Sequence, residues 1–141
     1  MIVIAMPEEL ALVRETDEPI LITGVGALNV IKALSNVPRE TPIRNIGYAG
    51  SNLIPKGTRC KIGRVRLYHP VADFNDITYA LGGDTPCFTS ADFVTATNIQ
   101  YPCVFDMELA FILAMGFSNV SAEKIISDNL SLKEFNVVID A

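Results

Sequence analysis

The run Ile125-Ile126-Ser127-Asp128 constrains the fold more than any other part of the chain: an apolar pair passes straight into a small polar residue and then a carboxylate. Helix-like sequence follows from about Leu130. That order is how a buried strand delivers a side chain to the end of an open α/β sheet, where such folds keep their ligand sites. An Asp at that position can donate a proton if burial or a neighbouring carboxylate raises its pKa. It can equally serve as the N-cap of the following helix, a role Asp fills well.

The remainder of the chain repeats the theme of a short apolar strand, a turn of small residues and a helix. Residues 2–5 read as a strand, and Pro7, Glu8 and Glu9 follow as the first turn of a short helix. Pro suits the first helical position, and acids there meet the positive end of the helix dipole. A carboxylate just beyond the first strand is also placed to reach the carboxyl edge of the sheet. Residues 19–23 form the next strand, and Gly24-Val25-Gly26 leads into a helix over 27–34. The turn can bring backbone N–H groups to an anion or a sugar hydroxyl, but Asn29 at the third glycine position rules out a dinucleotide fingerprint. A third strand over 42–48 closes on Ala49 and Gly50, small enough for a flat ligand or a neighbouring helix to approach.

Residues 61–68 set Ile62, Val65 and Leu67 against Lys61, Arg64 and Arg66, the pattern of a half-exposed strand. Residues 70–87, with Asp73, Asn75, Asp76, Gly82, Gly83, Asp84 and Pro86, read as a loop bordering or covering a site. Phe93 and Val94 beyond it offer apolar walls. Asp106-Met107-Glu108 then opens a helix over 109–115, apolar all round and ended by Gly116. Glu at the mouth of a buried helix is unusual, because Glu is rarely buried without a partner; a functional role and favourable interaction with the helix dipole account for it equally well. Residues 121–127 form the last core strand, 130–136 a terminal helix, and 137–139 a tail or small strand.

Bulk properties narrow the function. With 141 residues, 50% of them hydrophobic and 19% charged, the chain (residues 1–141) is expected to be one ordered domain. No apolar run nears the roughly 20 residues of a membrane span, and residues 1–5 are too short and uncharged for a signal peptide. A net charge of −5 argues against a nucleic-acid groove. Cys60, Cys87 and Cys103 form no disulfide or zinc pattern. The only histidine, His69, is spaced i, i+4 from Asp73, but Pro70 between them spoils a helical metal pair. The expectation is a cytoplasmic protein with no metal and no membrane association. Its apolar fraction suits either a dense core or a subunit interface.

Taken together, the segments resemble the purine nucleoside phosphorylase and nucleosidase superfamily, and are most similar to its methylthioadenosine/S-adenosylhomocysteine nucleosidase branch. Six ordered pieces carry the resemblance: Ile4-Ala5-Met6-Pro7-Glu8-Glu9, Gly24-Val25-Gly26, Gly47-Tyr48-Ala49-Gly50, Ser90-Ala91-Asp92-Phe93-Val94, Phe105-Asp106-Met107-Glu108-Leu109-Ala110 and Ile126-Ser127-Asp128. The resemblance implies a three-layer α/β fold around a central mixed β-sheet, in trimmed form. It implies cleavage of the N-glycosidic bond of a purine nucleoside, without a cofactor, and a homodimer.

In that scheme Asp128 is the acid at N7 of the base and Glu9 positions the attacking water. Glu108 holds the ribose hydroxyls with Met107 packed on the sugar. Phe93 stacks on the base, the Val94 backbone reads its edge, and Ser127, Ala49 and Gly50 complete the binding surface. Three departures stand out. Tyr48 replaces a small hydroxyl residue that helps phosphorylases bind phosphate, which favours water. Asp106 replaces Glu, and Lys124 stands where many relatives carry Arg. Two other readings are a phosphate-dependent phosphorylase and a non-catalytic nucleoside-binding protein.

Overall fold

The computed structural model describes residues 1–71, 74 and 77–140. The strands are β1 (Ile2–Ile4), β2 (Ile20–Ile22), β3 (Ile43–Ser51), β4 (Arg59–Leu67), β5 (Tyr79–Ala80), β6 (Thr85–Thr89), β7 (Val104–Asp106) and β8 (Val120–Asp128). The helices are α1 (Ala27–Leu34), α2 (Leu109–Ala114) and α3 (Leu132–Ile139), and Pro7–Leu12 is a 3-10 helix.

β1 lies between β2 and β3, and β8 pairs with β3, all in parallel. β8 also pairs antiparallel with the first half of β4, whose second half runs parallel to β6. β6 continues to β7, and β7 returns antiparallel to β3. The strands β3, β8, β4, β6 and β7 therefore close on themselves as a ring, and the sheet is mixed, as expected. α2 packs against the sheet: its Leu109, Ala110 and Leu113 meet Ile62, Val65, Val104 and Ile126 in the main core. Val30 and Leu34 of α1 pack with Val3, Ile43 and Ile112 in a second one. Each Val, Leu or Ile among them contributes about 1.5–3 kcal/mol on burial.

Several boundaries differ from the sequence reading. β3 continues through the small residues to Ser51 because β8 and β7 both pair with them. Ile62 and Val65 are three residues apart, so strict alternation would bury Arg64; a register shift between Ile62 and Val65 returns Val65 to the core. β5 and β6 lie within or next to the stretch read as loop. The terminal helix begins at Leu132 and absorbs residues 137–139, so there is no tail strand. Its N-cap is Ser131, whose Oγ accepts the Glu134 N–H at 3.2 Å, and Asp128 is the last residue of β8 instead. Asp73, Asn75 and Asp76 lie outside the described residues; His69 meets Phe74 edge to face at 5.0 Å. No helix among the described residues is long and apolar enough to cross a membrane.

Candidate active site

Because β1, β3 and β8 are parallel neighbours, their carboxyl ends deliver side chains to one edge of the sheet. At the end of β8 the register slips: Ala49 pairs with Ile126, but Gly50 pairs with Asp128. Ser127 and Asp128 thus oppose a single residue, the arrangement of a β-bulge, which re-aims side chains at strand ends. Asp128 is fully buried. Its Oδ1 accepts from Ser127 Oγ at 2.7 Å and its Oδ2 accepts the Leu130 N–H at 3.0 Å. Burial raises its pKa, against the lowering effect of these bonds. Gly50 is needed here, since a Cβ would come within 2.9 Å of Asp128 Oδ2.

Glu9 is turned back over β1 by the 3-10 helix and is also buried. Oε1 accepts the N–H of Ala5 at 2.7 Å and of Met6 at 3.2 Å; Oε2 accepts the N–H of Tyr48 at 2.7 Å. A carboxylate has about four lone-pair sites, so three bonds leave one for a further donor. Burial lifts its pKa although Lys124 and the three N–H groups pull the other way. The carboxylate lies where a side chain would otherwise stand on β3: a Cβ on Gly47 would sit 2.5 Å from Glu9 Oε2.

Glu108 occupies the N-cap position of α2 but does not cap it. Its Oε2 reaches across the cavity to the N–H of Gly26, 82 positions away in sequence and 2.8 Å in space. Gly26 has φ of 89°, so the turn between β2 and α1 presents this N–H through left-handed backbone that favours glycine. Burial and then the charge of Asp106 push the Glu108 pKa up to about 7. Asp106 behaves oppositely: burial raises it, but Lys124, Thr89 and the N–H of Leu109 bring it below its ordinary value. Burial beside the charged Asp106–Lys124 pair thus leaves Glu108, and not Asp106, titrating near neutrality.

These side chains share one cavity of about 160 Å³. Glu9, Asp106, Glu108, Ser127 and Asp128 supply its carboxyl and serine hydroxyl groups, and Ala49 and Gly50 form part of its wall. Met107 and Phe93 line it as well. Val94 borders a smaller pocket of about 30 Å³ beside Phe93 and Asp128. Sequence reasoning did not assign Val25, Met6, Phe105 or Phe135 to the site, although all four line it. Phe135 of α3 meets Phe93 at 5.4 Å between ring centroids, so the two rings form one wall. The available signal was its position one turn into a capped amphipathic helix that follows Asp128. Tyr48 lines the cavity too, half-buried, with its pKa raised by burial and by Glu9. Among the described residues there is no cluster of His, Cys, Asp and Glu suited to a metal ion.

The sequence matches no protein-family model and no curated protein. Solved structures do match. One is MTAN from Chlamydia trachomatis bound to MTA, at TM-score 0.76 and 15% identity, covering 99% of this chain and 86% of that one. Another is the S-adenosylhomocysteine nucleosidase of Streptococcus pyogenes in complex with 5-methylthiotubericidin, at TM-score 0.76 and 16% identity, covering 99% and 89%. A third is the 5′-methylthioadenosine/S-adenosylhomocysteine nucleosidase of Colwellia psychrerythraea 34H in complex with adenine, at TM-score 0.74 and 16% identity, covering 99% and 87%. The chain has the fold of these nucleosidases along nearly its whole length.

Proposed function

We propose that this protein cleaves the N-glycosidic bond of a purine nucleoside with water. The observation that carries the proposal is the convergence of Asp128, Glu108 and Glu9, from three distant segments, on one apolar-walled cavity. The similar structures named above include complexes with MTA and adenine, which supports an adenosine- or methylthioadenosine-like substrate.

Departure of a purine from C1′ leaves positive charge on the sugar and negative charge on the base. Asp128, its pKa raised by burial, protonates N7, so the electron pair of the C1′–N9 bond leaves on a neutral base. Glu108 accepts hydrogen bonds from the ribose hydroxyls and places negative charge near the oxocarbenium-like centre. Glu9 uses its remaining lone pair to hold a water and takes its proton as the oxygen bonds to C1′. The products are free purine and the ribose. Phe93 stacks on the base, Val94 reads its edge through the backbone, and Met107 packs on the sugar. Tyr48, bulky and bordering the Glu9 side of the cavity, favours water over phosphate.

The test is release of free purine from adenosine, inosine, methylthioadenosine and S-adenosylhomocysteine, each with and without phosphate. Release that is indifferent to phosphate supports the proposal. Strict dependence on phosphate would make the protein a phosphorylase, and nucleoside binding without release would make it a non-catalytic binder.

The partner we infer is a second copy of the chain. Leu28 of α1 is 83% exposed, and Ile31 of α1, Ile20 and Ile22 of the edge strand β2, and Val25 in the turn between them are exposed as well. Val25 also lines the cavity, so a chain docked there would close the mouth of the site. Sedimentation should give a dimer that Leu28→Lys dissociates; a monomeric wild type would overturn this inference.

A further inference from the structure

Lys124 is the largest side chain held wholly inside the molecule, 1% exposed in the middle of β8. It stands opposite Gly47 of β3 and Cys60 of β4. An ammonium group taken out of water is strongly unfavourable unless it is paired. Its Nζ lies 3.1 Å from Asp106 Oδ2.

That same oxygen accepts the N–H of Leu109 at 2.8 Å and of Glu108 at 3.3 Å. Oδ1 accepts from Thr89 Oγ1 at 2.5 Å, and Thr89 Oγ1 in turn accepts the Ala110 N–H at 3.0 Å. The first N–H groups of α2 are therefore held by side chains from β6 and β7, with Lys124 on β8 supplying the countercharge. Glu108, at the cap position, is relieved of capping and turns its carboxylate to the Gly26 N–H. Lys124 does not line the cavity, yet everything that fixes the start of α2 leads back to it.

We propose that Lys124 is a positioning residue: through Asp106 it pins the first turn of α2 and so sets Glu108 where it meets the sugar. This rests on the reading of Glu108 as the ribose ligand. Removing the ammonium leaves Asp106 buried without its countercharge. The carboxylate then takes up a proton, Oδ2 accepts less strongly, and the first turn of α2 loosens.

The experiment compares two ligands by calorimetry: formycin A, an adenosine analogue whose carbon–carbon glycosidic bond is not cleaved, and adenine, which has no sugar. Lys124→Met is expected to weaken formycin A about tenfold, as loss of a supporting contact typically does, while adenine affinity changes less than about twofold. Combined with Glu108→Gln it should add little to the loss from Glu108→Gln alone, because the two act through one interaction. Lys124→Arg should restore most of the formycin A affinity. If Lys124→Met does not fold, Lys124→Gln, which removes the charge but keeps a polar group beside Asp106, is read in the same way.

Equal loss of both ligands, no loss of either, or losses that multiply with Glu108→Gln would overturn the inference while leaving the role of Glu108 intact. Formycin A binding unaffected by Glu108→Gln, or a wild type that binds neither ligand, would remove the sugar reading itself and the inference with it.

Discussion

At the scale of single residues, the site is built from carboxylates whose surroundings are mostly backbone. Asp128 accepts from the Ser127 hydroxyl on Oδ1 and from the Leu130 N–H on Oδ2; in Asn the amide oxygen can keep the N–H while the amide NH2 donates to the rotated Ser127 hydroxyl. Asp128→Asn is therefore expected to keep its melting temperature within a few degrees and lose about 10²–10⁴-fold in base release, the usual contribution of a general acid. Unchanged turnover would rule out the acid role. Gly47 is the complementary case. A methyl group there would meet Glu9 Oε2 at 2.5 Å, so Gly47→Ala must displace the carboxylate from the Tyr48 N–H. Overpacking of this kind costs about 1–3 kcal/mol, and hydrolysis should fall with it. A variant as stable and active as wild type would show that Glu9 has room to move.

At the scale of elements, α3 is tied down differently from the rest. None of its residues is buried, and it follows Leu130, whose φ of 63° is unusual for a side chain of that size. It is held by the Ser131 cap, by Glu134 accepting the Asn129 N–H and pairing with Lys56, and by Phe135 against Phe93. Ser131→Ala should remove about 1 kcal/mol from this helix. Hydrogen exchange is the check: amides of α3 should exchange faster in the variant while those of β3 and β8 stay protected. Uniform acceleration would mean that α3 unfolds only with the whole molecule.

At the scale of the whole molecule, the raised carboxylates link protonation to stability. Glu108, at about 7, and Glu9 and Asp128, both above their ordinary values, bind protons more readily folded than unfolded. Where the folded state holds more protons, stability falls as pH rises. The acids with lowered pKa, Asp106 and Glu123 among them, act in the opposite sense only near and below their ordinary values of 3.8 and 4.5. The melting temperature should therefore be higher at pH 5.5 than at pH 8, and Glu108→Gln should flatten that difference. Base release should run the other way, with kcat/KM falling below about pH 7 as Glu108 loses its charge. A melting temperature that rises from pH 5.5 to 8 would contradict the burial of these groups.

Much of this was legible in the sequence, because its signals are local. Apolar runs ending in small residues marked β1, β3 and β8, and Gly116, with φ of 93°, marked the end of α2. Asp128, Glu108 and Glu9 were each suspect because an acid beside an apolar run is costly without a purpose. Each also had an innocent local explanation as a cap or a dipole partner, and sequence could not choose between them. Tertiary structure removed the cap from Asp128 by giving it to Ser131, and it turned Glu108 away from its own helix toward Gly26. It also set Phe135 opposite Phe93 and buried Lys124 against Asp106, contacts that follow from strand register and ring closure. Local sequence determines which segments are strands and helices through propensity and hydrophobic period. Which side chains share a cavity depends on how distant segments pair, and that is decided only when the whole sheet closes.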